Sequence, residues 1–348
     1  MIISSKLSKG SQDLYNSSTN CIDLSIRDTI SSLEPKIKNI SMNIYAKKIT
    51  AFIKLIGKRK KKLRAAKAHR NQEMNNNKPS DNASFKCICK RDEYEEREGF
   101  GICYWKNGNV FKGYYEEDKI NGYGLLQVKG GESYLGQFKD NKLSGFGIYT
   151  YNNGTVYTGI WKDECQTGIG IEIWKDGSIY KGYYTNKKKE GLGTYMNSEG
   201  SVYEGEWKNN NMDGYGIYTF KDGRVYVGQW KDNMMNGVGE FYFRDGKKYI
   251  GGYLNNKREG FGIYYWNEPK KILMAYWKEG KQHGIGKYID ENKERYGLWK
   301  EGKKEKWLDV DEELKNTCKE INQPFLHLFT LSFEEAENEI NKFQNNFL

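Results

Sequence analysis

The chain has 348 residues, 37% of them hydrophobic and 15% aromatic, and a formal net charge of +10. No apolar run approaches the ~20 residues of a membrane-spanning helix, and the opening stretch MIISSKLSKG lacks the apolar core of a secretory signal. The charge would suit nucleic acid, but residues 36–72 hold thirteen Lys or Arg and no Asp or Glu, which leaves the remainder at −3. Basicity belongs to one arm and not to the chain as a whole.

That arm, residues 1–70, is expected to be helical. On a wheel of 100° per residue, Met42, Tyr45, Ile49, Phe52, Ile53 and Ile56 fall on one face, with Asn43, Lys47, Thr50, Lys54 and Lys58 opposite. The run Lys58, Arg59, Lys60, Lys61, Lys62 follows at once. A basic amphipathic helix suits a protein groove, a calmodulin-like partner or an acidic membrane surface. Docking on the rest of this chain or on a partner protein is the favoured expectation. Basic runs also bind nucleic acid, but no reader motif accompanies this one. Residues 71–93 begin NQEMNNNKPSDNAS, a polar, turn-rich stretch expected to be a linker.

From residue 94 to residue 307 a 23-residue period takes over. Gly113, Gly136, Gly159, Gly182, Gly205, Gly228 and Gly251 are spaced by it, and Gly-x-Gly pairs and turn glycines keep the same spacing, so that 32 of the 39 glycines stand on fixed positions. Aromatics flank the first glycine on both sides at i−2 and i+2: Tyr157 and Trp161, Tyr180 and Tyr184, Tyr203 and Trp207, Tyr226 and Trp230, Tyr249 and Tyr253. An i, i+2, i+4 pattern is period 2, which puts all three residues on one face of a strand. After a polar loop the Gly-x-Gly opens a second strand, and Asp222-Gly223, Asp176-Gly177 or Asn107-Gly108 then marks a hairpin turn. Glycine inside a strand marks the close approach of another group; here that group is expected to be an aromatic ring lying over bare backbone. The fold class read from this pattern is mainly β, an elongated antiparallel meander of about nine hairpin units.

The pattern Tyr-x-Gly-x-Trp, polar loop, Gly-x-Gly, Asp-Gly resembles the MORN (membrane occupation and recognition nexus) repeat. The resemblance wears thin at the end, where Leu273 and Ala275 replace the tyrosine and glycine before Trp277, and Arg295 precedes Gly297. It implies a non-catalytic scaffold that binds partner proteins, and settings in the cytoplasm and cytoskeleton, the cilium or flagellum and its radial spokes among them. Catalytic domains known beside such repeats would need more than the short segment after Trp307. The ten ring residues Tyr157 to Tyr253 named above are the expected binding platform, because tyrosine and tryptophan carry large contact area with a polar tip. If packing consumes them, edges or loops must bind instead. The alternatives are a peripheral membrane adaptor using the arm and an accessory subunit of an enzyme.

The tail, residues 308–348, carries two helix-start signals, Asp309 with Glu312 and Ser332 with Glu335. Apolar stripes follow each, Val310, Leu314, Cys318 and Ile321, then Phe333, Ala336, Ile340, Phe343 and Phe347. Two helices capping the open end of the repeat stack are expected. No catalytic, metal or cofactor site is expected. His69, His283 and His327 are scattered, no phosphate-binding glycine motif is complete, and Cys87, Cys89 and Cys103 want a fourth metal ligand. The six cysteines form no framework, which suggests a reduced, cytosolic protein.

Overall fold

Twenty strands, β1 (Phe85–Arg91) to β20 (Lys303–Leu308), follow one another in a computed structural model of the chain. The structure describes residues 85–309 except 268–270 and 291–292, together with Leu314, Asn316, Thr317 and Glu335, which are helical. The chain divides into units 1–82 and 83–348, and all described residues lie in the second. The helical arm expected over residues 1–70 lies outside them. Residues 85–91, placed in a linker by the sequence reading, are strand β1, paired with β2 (Arg97–Trp105).

Every strand pairs antiparallel with its sequence neighbours, so the sheet is a plain meander. One unit shows why. In β11 (Val202–Lys208) and β12 (Asn211–Thr219), Tyr203 faces Tyr218 and Gly205 faces Gly216. The register then shifts, and Trp207 faces Met212. The shift takes the Glu206 carbonyl out of the regular pairing, and the Tyr203 hydroxyl donates to it at 2.9 Å. The Glu206 carboxylate accepts from the Tyr215 backbone N–H at 3.0 Å. A β-bulge of this kind is tolerated because its polar groups find new partners.

The Tyr203 ring lies flat over the two glycines. A Cβ added at Gly216 would come within 2.5 Å of the ring, and one at Gly205 within 2.5 Å of the Gly216 Cα. Only hydrogen at both positions lets the ring lie down. The equivalent tyrosines Tyr134, Tyr157, Tyr180, Tyr226 and Tyr249 make the same i to i+3 hydroxyl–carbonyl bond, at 2.9–3.2 Å.

The two turns of a unit differ. Between β11 and β12, Asn209 and Asn210 both have positive φ, the doubly left-handed turn that matches strand twist. The sequence reading left a wider loop here; the strands run up to the two-residue turn. Asn210 also ties its turn to the previous unit: its side chain accepts from the Lys189 N–H at 2.8 Å, and its N–H donates to the Lys189 carbonyl. Asn141, Asn233 and Asn256 form the same clamp. At the other end, Gly223 alone takes positive φ, in a three-residue loop closed by Phe220 and Arg224.

Cys87 and Cys103 stand opposite each other across β1 and β2 and are joined by a disulfide. This corrects the expectation of cysteines without a framework: period 2 puts Cys87 on the ring-bearing face, and antiparallel pairing brings Cys103 against it. Cys89 and Cys165 are free thiols.

Candidate interaction surfaces

The rings of the first face interlock. Tyr203 meets Trp207 of its own unit and Trp230 of the next, both edge to face at 5.4 Å. Tyr180 meets Tyr184 and Trp207, Tyr226 meets Trp230 and Tyr253, and Tyr249 meets Tyr253 and Trp277. Towards the N-terminus the series continues through Tyr157, Tyr134 and Phe111 to Tyr115. Centroids are 5.0–5.6 Å apart throughout and planes cross at 79–89°. Each such pair contributes about 0.5–1.5 kcal/mol beyond buried area. An arginine covers each end of the series: Arg97 lies 4.5 Å from the Tyr115 ring and Arg258 4.6 Å from the Trp277 ring.

This placement decides the fate of the predicted platform. Tyr157, Trp161, Tyr180, Tyr184, Tyr203, Trp207, Tyr226, Trp230, Tyr249 and Tyr253 are all buried, none more than 7% exposed. Their rings are spent on one another and on the glycine backbone, so they form a core and present no free surface. Burial also raises their phenols above the ordinary value of 10.

Surface on the same face belongs to the outer rows. A cleft of about 640 Å³ is lined by Trp174, Lys189, Tyr195, Trp207, Asn210 and Met212, among others. It lies where the repeat changes composition. Other units carry Tyr149, Tyr218 or Phe241 beside the buried tyrosine, and Leu143, Met212 or Met235 opposite the second ring. Here Glu172 takes the first place in the unit of Tyr157, and Lys189 takes the second in the unit of Tyr184. The two form an ion pair at 3.3 Å, and Lys189 lies 4.6 Å from the Trp174 ring. Glu172 also accepts from the Tyr184 hydroxyl at 3.1 Å. Burial first, and the Glu172 carboxylate second, drive the Tyr184 phenol far up. Sequence reading missed this pair, although comparing each position across units shows both departures from the pattern.

The second face differs along the sheet. Over β15 (Lys248–Leu254) to β18 (Lys281–Asp290), Ile250, Ile263, Met274 and Ile285 are completely buried in a cluster with Leu308, and Leu314 packs against it. Leu314 is partly covered, Asn316 exposed and Thr317 buried, so a helical stretch with one inward side lies on this face. The described part of the tail thus covers a face of the sheet. Over β8 (Cys165–Ile173), β9 (Ile179–Thr185) and β10 (Lys188–Met196), by contrast, Ile169, Ile173, Tyr183, Leu192 and Met196 are exposed.

The sheet edges are β1 and β20. β20 carries Lys303, Lys304 and Lys306, all exposed, a composition that discourages edge pairing. The basic-arm residues Ile49, Phe52, Ile53, Ile56, Lys58, Arg59, Lys60, Lys61 and Lys62 lie outside the described residues. Among the described residues no group of three His, Cys, Asp or Glu side chains could hold a metal ion, and no helix is long and apolar enough to cross a membrane.

The MORN repeat family model matches residues 96–110, 134–156, 180–202, 203–223, 226–248, 249–268 and 275–295. The chain belongs to the MORN repeat family. The stretches between the matched units keep the same architecture with altered side chains. Phe111 lies over its glycines without the hydroxyl, and Glu172 interrupts the outer aromatic row. MORN repeats point to a protein-interaction or membrane-associated scaffold, in a family that is generally non-catalytic. No curated protein matches the chain. Among solved structures, the TCP10 domain of Danio rerio CPAP aligns at 11% identity and a TM-score of 0.35, over 60% of this chain and 99% of that one. The Drosophila melanogaster SAS-4 TCP domain, solved in complex with a proline-rich motif of Ana2, aligns at 15% identity and a TM-score of 0.25, over 58% and 96%. Both likenesses are too distant to carry function.

Proposed function

We propose that this MORN protein is a non-catalytic scaffold that binds partner proteins in a larger cytoskeletal assembly, with a cilium or flagellum as the first setting to test. The observation that carries the reading is the continuity of the sheet. Each strand pairs only with its neighbours, so both faces run on past many units and offer partly exposed side chains at each. Such a surface suits an extended partner better than a small substrate. The cleft around Trp174 and Asn210 is the primary partner site on the ring face.

The test compares the tagged full chain with a Trp174→Ala, Asn210→Arg variant in cells that express the protein. Stoichiometric partners are expected with the parent and reduced recovery with the variant. If the parent recovers no stoichiometric partner, the scaffold reading is wrong.

One feature favours a peripheral membrane adaptor as a second reading, the run Lys58–Arg59–Lys60–Lys61–Lys62 behind the apolar stripe Ile49, Phe52, Ile53 and Ile56. Stable anchoring usually needs a second signal beside a basic patch, and exposed charges are screened over about 8 Å at physiological salt. Flotation of the full chain with acidic vesicles at that salt, together with Ile53→Asp, decides between lipid and protein as the target of the arm.

A further inference from the structure

We propose that Arg258 and the turn at Glu279 and Gly280 form a receptor for a carboxylate of a partner protein, the Asp or Glu side chain of an acidic segment. The proposal goes beyond the scaffold reading and rests on it only in requiring a protein partner.

Arg97, Lys189 and Arg258 stand at one place of their units, separated by whole multiples of the 23-residue period. Each lies over rings of the first face. Arg97 covers Tyr115, and Lys189 covers Trp174 and Tyr180. Arg258 is within 4.6–5.8 Å of Phe243, Tyr249, Tyr264 and Trp277. Two of the three cations are neutralised inside the chain, Arg97 by Asp118 and Lys189 by Glu172. Among the described residues Arg258 has neither a hydrogen bond nor an ion pair, only its rings.

Two changes of residue leave it so. The place that Glu172 takes opposite Tyr157 is held by Phe241 opposite Tyr226. The place of Asp118 is held by Gly280. The two turns are otherwise alike. Glu117 and Asp118, like Glu279 and Gly280, all have positive φ. In each turn the second residue donates its backbone N–H to the carbonyl of the cation, Asp118 to Arg97 at 3.3 Å and Gly280 to Arg258 at 2.9 Å. The frame that brings Asp118 to Arg97 is therefore rebuilt at Arg258 without the carboxylate. A Cβ at Gly280 would meet nothing within 4 Å, so the space such a side chain would enter is open. Glu259 is engaged elsewhere, accepting from the Glu279 N–H at 2.8 Å. The buried indole N–H of Trp277 also lacks an acceptor, whereas Trp207 and Trp230 give theirs to glycine carbonyls. This corner of the ring face is rich in donors and short of acceptors. A guanidinium held in place presents a fork of donors that matches a carboxylate.

The surrounding charge selects the occupant. Lys257, Lys278, Lys281, Lys300 and Lys303 are exposed on this turn and its neighbours, against Glu259, Glu279 and Glu301. That excess of cations steers an acidic segment inward and repels a basic one. Arg258 is only partly exposed among its rings. A side chain on a protruding segment reaches it, whereas a flat lipid surface meets the lysines first.

The probe is a short labelled peptide of Glu and Asp spaced by Gly and Ser, titrated at physiological salt into the full chain. Lys58, Arg59, Lys60, Lys61 and Lys62 are changed to Gln throughout, which removes the basic arm as a competing target. The Gln and Asn version of the peptide and phosphatidylcholine–phosphatidylserine vesicles are the other arms. The acidic peptide is expected to bind and the amide version not. Gly280→Asp supplies the missing carboxylate from within the chain, as Asp118 does, and should weaken binding about tenfold, a gap of about 1.4 kcal/mol. Gly280→Asn has the same shape without the charge and should leave binding within about twofold, a gap of about 0.4 kcal/mol. Gly302→Asp puts the same charge on the next turn, beside Gln282, and should also change little. Arg258→Gln should lose as much as Gly280→Asp. Should Arg258→Gln unfold, the two changes at position 280 still decide, because Asp and Asn both accept a left-handed backbone. Equal binding of both peptides, equal effects of Asp and Asn at position 280, an equal loss with Gly302→Asp, or vesicle capture that Arg258→Gln abolishes each overturns the proposal. Cellular partners kept by Gly280→Asp but lost by the Trp174→Ala, Asn210→Arg variant would overturn it too and leave the scaffold reading standing.

Discussion

Tyr203 and Trp230 belong to successive repeat units, yet their rings meet edge to face at 5.4 Å with planes crossed at 79°. Trp230 also donates its indole N–H to the Gly216 carbonyl at 3.3 Å, on the strand between them. The contact therefore ties a unit to its neighbour through both a ring edge and the backbone beneath it. The ring-edge contact recurs from Tyr115 to Trp277, and Trp207 repeats the backbone bond at the Gly193 carbonyl, so a single sheet acquires a core one ring thick.

Gly216→Ala should be destabilising although alanine is ordinarily the better strand residue. Relief of glycine's backbone entropy favours the variant by about 0.4–1 kcal/mol. The new Cβ, however, would stand 2.5 Å from the Tyr203 ring, which is pinned by its hydroxyl bond to Glu206. Forced displacement in a packed core costs about 1–3 kcal/mol. The urea midpoint should fall by a net loss of roughly 1.3 kcal/mol, the difference between the centres of those two ranges, whose extremes span about 0 to 2.6 kcal/mol. A midpoint that rises would mean the ring is not held over the glycines.

Trp230→Ala should cost about 3–5 kcal/mol, as for other buried aromatic truncations, and the damage should stay local. Trp230 touches rings of its own unit and the preceding one, and repeat stability is a sum of units and nearest-neighbour terms. Amide exchange should quicken over β11 to β14 (Met234–Tyr242) and change little in β3 (Val110–Glu116) to β6 (Lys142–Thr150). Uniform loss of protection along the sheet would show that the strands unfold as one cooperative block.

Much of this was legible in the sequence because the same physical constraints are written at every unit. The Gly205–Gly216 pair with Tyr203 two residues upstream announces a ring on bare backbone, and the structure has that arrangement. What period 2 cannot give is exposure. It puts Tyr203 and Trp207 on one face, but whether that face is solvent or core depends on how neighbouring units lean, which is why the platform turned out to be a core. The clamp of Asn210 on Lys189 was hidden for a similar reason, since a turn asparagine looks the same whether it solvates or reaches across to the previous turn. Leu314 on the second face needed a long-range contact that the decayed last units do not signal.

Alkaline pH should unfold the protein cooperatively. Burial raises the phenols of Tyr157, Tyr180, Tyr203, Tyr226 and Tyr249, while Tyr115 is pushed up to about 12, Arg97 partly opposing the effect of burial there. Folded phenols thus keep their protons above pH 10, where unfolded ones lose them. The folded state binds more protons there, so this contribution is intact below pH 10 and is lost as pH rises beyond it. The slope is about 1.4 kcal/mol per pH unit for each phenol still protonated. Tyrosinate absorbance at 295 nm should rise in step with loss of the circular-dichroism signal. A smooth titration centred near 10 with the fold intact would contradict the burial.

The last expectation concerns a place where an ion pair replaces the apolar pattern. Glu172 and Lys189 are each about 15% exposed and pair at 3.3 Å, with the Tyr184 hydroxyl also donating to Glu172. Lys189→Met alone restores the residue type of Met212 and Met235 but leaves Glu172, largely enclosed, without its cation. Removing one member of such a pair should cost about 1–3 kcal/mol, less than the 3–5 of a fully buried pair because solvent still reaches this one. Glu172→Tyr together with Lys189→Met rebuilds the outer aromatic row of the other units, and exchanging a charge pair for packed apolar groups is often neutral or stabilising. The double variant should therefore be at least as stable as the parent while the single variant is weaker, which a double-mutant cycle in urea measures directly. If the double variant unfolds as readily as Lys189→Met, the pair supports the sheet in its own right. If stability returns but the cellular partners seen with the parent are lost, the charges were kept for recognition at the Trp174 cleft, and stability alone does not account for them.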